Sequence, residues 1–170
     1  MNIGWQRAIS NRRLLRRCRR ALADLPLPQP FSAEELCGLI AEWRGRKLVL
    51  HPLPGEIRAI DEDAPCGLWV ATDRADFIFY EDRTVHLHRE HIIVHELAHM
   101  LLGHSMFELA DPADPGAAAA ILGRAGYTSR QEQEAEMLAS LIVSTATNPR
   151  PRLSSGTLGQ LESAMGYRGL

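Results

Sequence analysis

The clearest structural signal in this chain is residues 89–102, which read Arg-Glu-His-Ile-Ile-Val-His-Glu-Leu-Ala-His-Met-Leu-Leu and are followed by Gly103. Apolar residues cover almost the whole circumference of a helix built from this stretch, so we predict a buried helix that ends at Gly103. Polar groups are costly inside such a helix unless they are paired. His95, Glu96 and His99 therefore need partners, or a function, within the interior.

These three residues match the metallopeptidase pattern H-E-x-x-H. Residues four apart lie on the same face of a helix, so the imidazoles of His95 and His99 can bind a single Zn²⁺ ion. The side chain of Glu96 projects about 100° away from that of His95, beside the metal and not onto it. There it can take a proton from a water molecule at the metal. The pattern therefore predicts two zinc ligands and one catalytic base.

A catalytic zinc ion usually has three protein ligands, and the residues leave the third one open. His104 is one candidate, although its spacing does not fit the longer motif in which a third histidine stands ten residues after the first. A later helix, predicted at about 130–143, offers Glu132 and Glu136, which are four apart and can both face the first helix. One would bind the metal while the other accepts the N–H of a ligating histidine. The acidic residues of 130–136 also fit a solvated first helical turn.

The remaining patterns predict an α+β fold with a small antiparallel sheet and the helices packed on one side of it. Two more helices are expected, one over 12–23 with Asn11 as its cap, and one that begins after Ser32 and ends at Gly45. Strands are expected at 47–51, 67–72 and 77–80, the last two as an antiparallel hairpin. Residues 111–126 are predicted to be loop-like.

The charge of the chain changes sign near the proline-rich segment 24–30. Residues 1–30 carry a net charge of +6, and the remaining 140 residues carry −8. We therefore expect a basic N-terminal helix and Pro-rich linker (1–30), a metallopeptidase-like domain (31–146) and a Pro/Ser/Gly-rich C-terminal tail (147–170). The arginines could bind nucleic-acid phosphates, but no aromatic residues interleave them. A solvated basic face, or a docking surface for an acidic partner, is the simpler interpretation.

Composition narrows the class of protein. Apolar residues make up 45% of the 170 residues and charged residues 24%, which excludes disorder over most of the chain and excludes a fibrous protein. No run of 18 apolar residues or secretory signal is present, so neither a membrane span nor secretion is expected. Three widely spaced cysteines favour a reducing compartment, and we expect a cytoplasmic protein.

Two segments resemble the ImmA/IrrE family of small gluzincin-like zinc metallopeptidases. Residues 95–104 read His-Glu-Leu-Ala-His-Met-Leu-Leu-Gly-His, and residues 132–142 read Glu-Gln-Glu-Ala-Glu-Met-Leu-Ala-Ser-Leu-Ile. The corresponding family pattern is roughly H-E-L-G-H-x-L-L-H, then E-x-E-A-N/D-x-F-A-x-x-L-L. The resemblance covers about residues 67–143. The chain departs from the pattern at Glu136, where the family usually has Asn or Asp, and at Leu138, where it has Phe.

The resemblance implies roles for individual residues. His95 and His99 correspond to zinc ligands, Glu96 to the general base, and Glu132 to the third ligand, with Glu134 as its rival. Glu136 and His104 would then contact the ligating side chains, or replace one of them as a ligand. Tyr127, His104 and Tyr80 are equally good candidates for the group that stabilises the oxyanion, and the residues do not decide whether zinc, Mn²⁺ or Fe²⁺ is the physiological metal.

The resemblance also implies a function. Members of this family are intracellular peptidases, often paired with a helix-turn-helix repressor that they cleave or inactivate. We therefore expect a zinc-dependent endopeptidase whose protein substrate is a repressor encoded nearby. Two alternatives stay open: a non-catalytic, metal-stabilised module that binds a repressor, and a DNA-binding regulator that uses the Arg-rich N-terminal helix.

Overall fold

The structure, a computed structural model, describes residues 3–53, 66–104, 108–109 and 127–147. Its helices are α1 (Ile3–Ala23), α2 (Ala33–Arg44), α3 (His86–Leu102) and α4 (Ser129–Thr147). Its strands are β1 (Lys47–Pro52), β2 (Gly67–Thr72), β3 (Ala75–Tyr80) and β4 (Glu108–Leu109). These elements confirm the predicted α+β class. The predicted loop at 111–126 and the tail after residue 147 lie outside the described residues.

The four strands form one sheet in the order β1–β3–β2–β4. β2 and β3 form the predicted antiparallel hairpin, in which Trp69 lies opposite Ile78. β1, however, runs parallel to β3, with Leu50 beside Ile78, and β4 runs parallel to β2. The sheet is therefore mixed, and the prediction of an antiparallel sheet was wrong in this respect. Hairpin signals are local, whereas the pairing of β1 with β3 joins segments about 28 residues apart.

The described helices pack on one face of this sheet. Leu50, Trp69 and Ile78 are adjacent across three strands, so their side chains share a face. Trp69 and Ile78 belong to the same apolar cluster as Ile93 and Leu97 of α3, and Leu50 packs against that cluster. Residues of α1, α2 and α4 complete it. The helices therefore lie on one side of the sheet, as predicted, and α3 is held between the sheet and α4.

α3 is the predicted buried helix, and it begins at His86, one turn earlier than expected. Its end is where the sequence places it, because Gly103 adopts a left-handed conformation with φ = 70° that side chains disfavour. The backbone N–H of His104 then donates to the carbonyl of His99 at 3.0 Å. This turn brings His104 back beside the helix that carries the H-E-x-x-H motif.

α1 is longer than predicted and packs against the rest of the fold. It begins at Ile3, so Asn11 lies inside the helix and does not cap it. Cys18 is fully buried, Leu25 belongs to the main apolar cluster, and α1 contacts α4. The prediction missed the first turns because residues 3–11 lack a regular apolar spacing. Residues 12–25 therefore share a core with the helices that carry the candidate site.

α2 and α4 agree with the sequence patterns at their main features. The hydroxyl of Ser32 caps α2 by accepting the N–H of Glu35 at 3.3 Å, and Gly45 ends the helix with φ = 61°. α4 extends to Thr147, four residues further than predicted. Among the described residues, no helix has the length and apolar character that crossing a bilayer requires.

Candidate metal centre

His95, His99 and Glu132 converge at one point between α3 and α4. The Nε2 atoms of the two histidines lie 3.0 Å apart, and Nε2 of His95 lies 3.2 Å from Oε2 of Glu132. Oε1 of Glu132 lies 3.8 Å from Nε2 of His99. Ligand atoms of a tetrahedral zinc ion, each at about 2.0–2.2 Å, are separated by roughly 3.3–3.5 Å. The three donors therefore fit a zinc ion with only small movements.

His99 is the buried member of this cluster. Its side chain is completely inaccessible to solvent, and the ring of Tyr127 stacks on it with the ring centres 3.5 Å apart. Burial, followed by the neighbouring rings of His95 and His104, lowers the pKa of His99 to about 3. The imidazole is therefore neutral at physiological pH, which is the form that binds a metal ion.

Glu96 lies on the sheet side of α3, facing β2. Its carboxylate accepts a hydrogen bond from the backbone of Trp69, and its Oε2 atom has no partner among the described residues. Burial raises the pKa of Glu96 to about 8; the bond from Trp69 opposes this rise, and the charge of Glu132 adds to it. A buried carboxyl group that follows the candidate ligand His95 in sequence, and that has one oxygen without a described partner, is suited to hold and transfer a proton.

Gly67 provides the space that Glu96 occupies. A Cβ atom at Gly67 would lie 2.8 Å from Oε1 of Glu96 and 2.7 Å from Cγ2 of Ile92. Gly67 was not among the functional residues predicted from the sequence. A glycine at the start of an otherwise apolar strand is the signal that could have found it, because such glycines mark places where another group approaches the backbone closely.

His104 and Glu134 lie behind the cluster, on the side of His99 that faces away from Glu132. Nδ1 of His104 is 3.2 Å from Nδ1 of His99, and its Nε2 is 3.2 Å from Oε2 of Glu134. His99 therefore uses one ring nitrogen toward the cluster and the other toward His104. The structure does not bring His104 or Glu134 into the ligand cluster; it places them where they orient a ligand.

Glu134 is held by two arginines as well as by His104. Arg17 of α1 pairs with its carboxylate, and Nε of Arg130 donates to it at 2.9 Å. Burial favours the neutral form, but the hydrogen bonds from Arg130 and His104, with the charge of Arg17, outweigh it and lower the pKa of Glu134. Arg17 also donates to the carbonyl of Leu102 at 2.7 Å, at the end of α3. The basic N-terminal helix is thus linked to the site through one of its arginines.

Glu136 faces α3 one turn from Glu132. Its Oε2 atom lies 3.5 Å from Nδ1 of His95 and 3.3 Å from Nε2 of His91. The four-residue spacing thus places both glutamates against α3, Glu132 at the Nε2 atoms and Glu136 at the opposite nitrogen of His95. His91 was not predicted from the sequence as a site residue, although it stands four residues before His95 and therefore on the same helical face.

The three candidates for an oxyanion donor are placed differently. Tyr80 lies near the charges of Asp82 and Arg89, and His104 is engaged with His99 and Glu134. The hydroxyl of Tyr127 is buried and has no partner among the described residues, while its ring lies on His99. Burial, with the charges of Glu96 and Glu132, raises the pKa of Tyr127, so the hydroxyl keeps its proton.

A groove of about 1190 Å³ opens next to the ligand cluster. Its polar side includes His95, Glu132 and Glu136, and Leu14 and Leu15 of α1 contribute apolar surface. The side chain of His95 is 19% exposed and that of Glu132 is 47% exposed, whereas His99 is buried. The cluster is therefore reached from solvent on the side of His95 and Glu132.

No protein-family model matches the chain, and comparison with curated proteins and with solved structures finds no match either.

Proposed function

We propose that this chain is a zinc-dependent endopeptidase that hydrolyses a peptide bond in a regulatory protein. The observation that carries the proposal is the convergence of His95, His99 and Glu132, whose donor atoms all lie within 4.8 Å of one another. Two histidines and a carboxylate are a common ligand set for catalytic zinc. The buried carboxyl group of Glu96, next in sequence to a ligand, supplies the proton-transfer group that this reaction needs.

A zinc ion held by these three residues would polarise the scissile carbonyl group and make a water molecule more acidic. Glu96 accepts the proton of the water molecule that attacks the carbonyl carbon, and then donates it to the leaving amine nitrogen as the C–N bond breaks. Burial raises the pKa of Glu96 to about 8, and the positive charge of a zinc ion nearby would lower it toward the range in which the group can both accept and return a proton near neutral pH. The protonated hydroxyl of Tyr127 is our candidate for donation to the developing oxyanion.

The substrate class comes from the resemblance of residues 95–104 and 132–142 to the ImmA/IrrE pattern. It supports a helix-turn-helix repressor, encoded near this gene, as the protein that is cleaved. The three cysteines form no disulfide, which fits a reducing compartment such as the cytoplasm. Zinc, which is chemically matched to two imidazoles and a carboxylate, is the proposed metal.

The test compares the wild type with Glu96→Gln. Both proteins are purified, their zinc content is measured by elemental mass spectrometry, and each is incubated with the repressors encoded nearby. We expect both to contain one tightly bound zinc ion, and only the wild type to cleave. Glu42→Gln, a change of an exposed glutamate on α2, is the matched control and should cleave normally. Cleavage by Glu96→Gln at the wild-type rate would contradict the proposal.

The enclosure of Glu96 favours one second candidate function. Only 4% of this residue is exposed, and the alternative is that it supports the fold of a metal-stabilised module that binds a repressor without cutting it. In that case zinc removal lowers the melting temperature and releases the repressor. Binding then survives Glu96→Gln, and mass spectrometry finds the repressor intact with either protein.

A further inference from the structure

The two helices of the site repeat one arrangement twice. α3 carries His91, His95 and His99 four residues apart, and α4 carries Glu132 and Glu136 at the same spacing. Each glutamate therefore faces a pair of histidines, and His95 belongs to both pairs. Its Nε2 atom faces His99 and Glu132, whereas its Nδ1 atom faces Glu136.

The second set has the same chemistry as the first. Oε2 of Glu136 lies 3.3 Å from Nε2 of His91 and 3.5 Å from Nδ1 of His95. One ligand atom from each of these three residues lies within 4.8 Å of the others. The side chain of Glu136 is 54% exposed and that of His91 is 41% exposed, so an ion can reach them directly from solvent.

We propose that His91, Glu136 and Nδ1 of His95 form a second zinc site, which fills only when zinc is in excess. Two imidazoles and a carboxylate favour Zn²⁺ over Mg²⁺ or Ca²⁺, which prefer oxygen ligands alone. This proposal rests on the proposed function, because the two sites share His95. The second site binds zinc weakly only when the catalytic site already holds an ion.

Sharing His95 determines how the second ion binds. When Nε2 of His95 holds the first ion, its Nδ1 carries a proton that Glu136 can accept as a hydrogen bond. A second ion takes the place of that proton, which is released to solvent, and His95 becomes an imidazolate between the two ions. Repulsion between two dications opposes this step, and the negative charges of Glu132 and Glu136 offset only part of it.

A consequence for the proposed peptidase is inhibition by excess zinc. The second ion replaces the Nδ1 proton of His95 that Glu136 accepts, and so removes a hydrogen bond that orients a ligand of the first ion. The ion also lies at the edge of the groove that reaches the ligand cluster, since His95 and Glu136 both line it.

The test is a zinc titration of metal-free protein, by calorimetry and by competition with a chromogenic chelator. The wild type is expected to bind two ions, the second at least roughly tenfold more weakly because of the repulsion. Calorimetry in two buffers with different ionisation enthalpies should show about one additional proton released with the second ion. His91→Gln should bind only the first ion, with its affinity unchanged. His88→Gln changes an exposed histidine that contacts Thr84, and should still bind both.

Each outcome bears on one of the two sites. One ion in the wild type, or two ions in His91→Gln with unchanged affinities, would overturn the second site. A tight ion that His99→Gln abolishes, together with a weak ion that His91→Gln abolishes, supports both sites. A His91-dependent ion without any His99-dependent ion would support the second site and contradict the proposed catalytic one.

Discussion

The imidazole of His104 donates to the carboxylate of Glu134 across 3.2 Å, and both side chains are buried. The other nitrogen of the same ring faces Nδ1 of His99, also at 3.2 Å. If Nε2 of His99 binds the metal, its Nδ1 carries the proton, so Nδ1 of His104 must accept and its Nε2 must donate. The carboxylate of Glu134 therefore selects the tautomer of His99 through one intermediate ring.

His104→Ala should weaken zinc binding, since His99 then loses the acceptor that fixes its tautomer and ring orientation. We expect a loss of about 10–100-fold in affinity, the usual effect of removing the partner of a metal ligand. The affinity is measured by competition with a chelator. His104→Asn should recover part of the loss, because the side-chain oxygen of asparagine can still accept the N–H of His99. Side-chain ¹⁵N NMR of His99 should show protonated Nδ1 in the wild type. An unchanged zinc affinity in His104→Ala would contradict this role.

Gly67→Ala should disturb Glu96 without touching a metal ligand. The added methyl group would lie 2.8 Å from Oε1 of Glu96 and 2.7 Å from Ile92. We expect the free energy of unfolding to fall by about 1–3 kcal/mol, as at other overpacked sites, and the rate of cleavage to fall as well. Gly38→Ala is the control, because a methyl group there has no described residue within 4 Å and should stabilise helix α2 by roughly 0.5–1 kcal/mol. Urea unfolding and zinc content are measured for both variants. A Gly67→Ala protein that is as stable as the wild type would contradict the close approach of Glu96 and Ile92 to this glycine.

Arg17→Gln should destabilise the fold at neutral pH, because it removes the ion pair to Glu134 and the hydrogen bond to Leu102. Half of the Arg17 side chain is exposed, so screening limits the expected loss to about 1 kcal/mol. Folding lowers the pKa of Glu134 below its ordinary value of 4.5. The ion pair therefore stabilises the fold fully above pH 4.5, and this stabilisation disappears as the pH falls through the lowered pKa.

The difference between wild type and Arg17→Gln should therefore be larger at pH 7 than at pH 3, as measured by urea unfolding at both values. Arg16→Gln, which changes the exposed neighbour on the same helix, should differ little from wild type at either pH. A difference in unfolding free energy that is larger at pH 3 than at pH 7 would contradict an ion pair between Arg17 and an ionised Glu134.

The three cysteines should react at very different rates. Burial, with a smaller effect of the charge of Glu34, raises the pKa of Cys37 to about 12, so almost no thiolate is present at pH 8. Burial and the charge of Glu134 raise the pKa of Cys18 as well. Cys66 is only partly buried. Iodoacetamide at pH 8 should modify Cys66 first, and peptide mass spectrometry identifies the product. Equally fast reaction at Cys18 would show that α1 does not pack as described.

Local sequence patterns predicted the elements of this fold well, because caps and hydrophobic periodicity act within a few residues. Ser32 and Gly45 bound α2, and Gly103 ends α3, each through its own backbone geometry. The pattern H-E-x-x-H likewise predicted that two imidazoles share one helical face. The placement of Glu132 opposite them needed only the same four-residue spacing on a second helix.

Features that depend on distant segments were not predictable in this way. The parallel pairing of β1 with β3 and the role of Gly67 arise from contacts between elements, which periodicity does not report. The same holds for Arg17, one of seven arginines in the first 30 residues, which differs from its neighbours only in what it meets across the fold. The substrate, the cleavage chemistry and the identity of the metal stay predictions.

The packing of α1 has a practical consequence for N-terminal truncation of this chain. The proline-rich segment near residue 25 looks like a natural place to start a shorter expression fragment. Such a fragment would keep every zinc-motif residue. It would, however, expose the surface of α4 that Cys18 covers, and it would lack Arg17, a counterion of Glu134. Poor yield or weak metal retention in a fragment beginning at residue 31 would then reflect the cut itself, and would say nothing against the site.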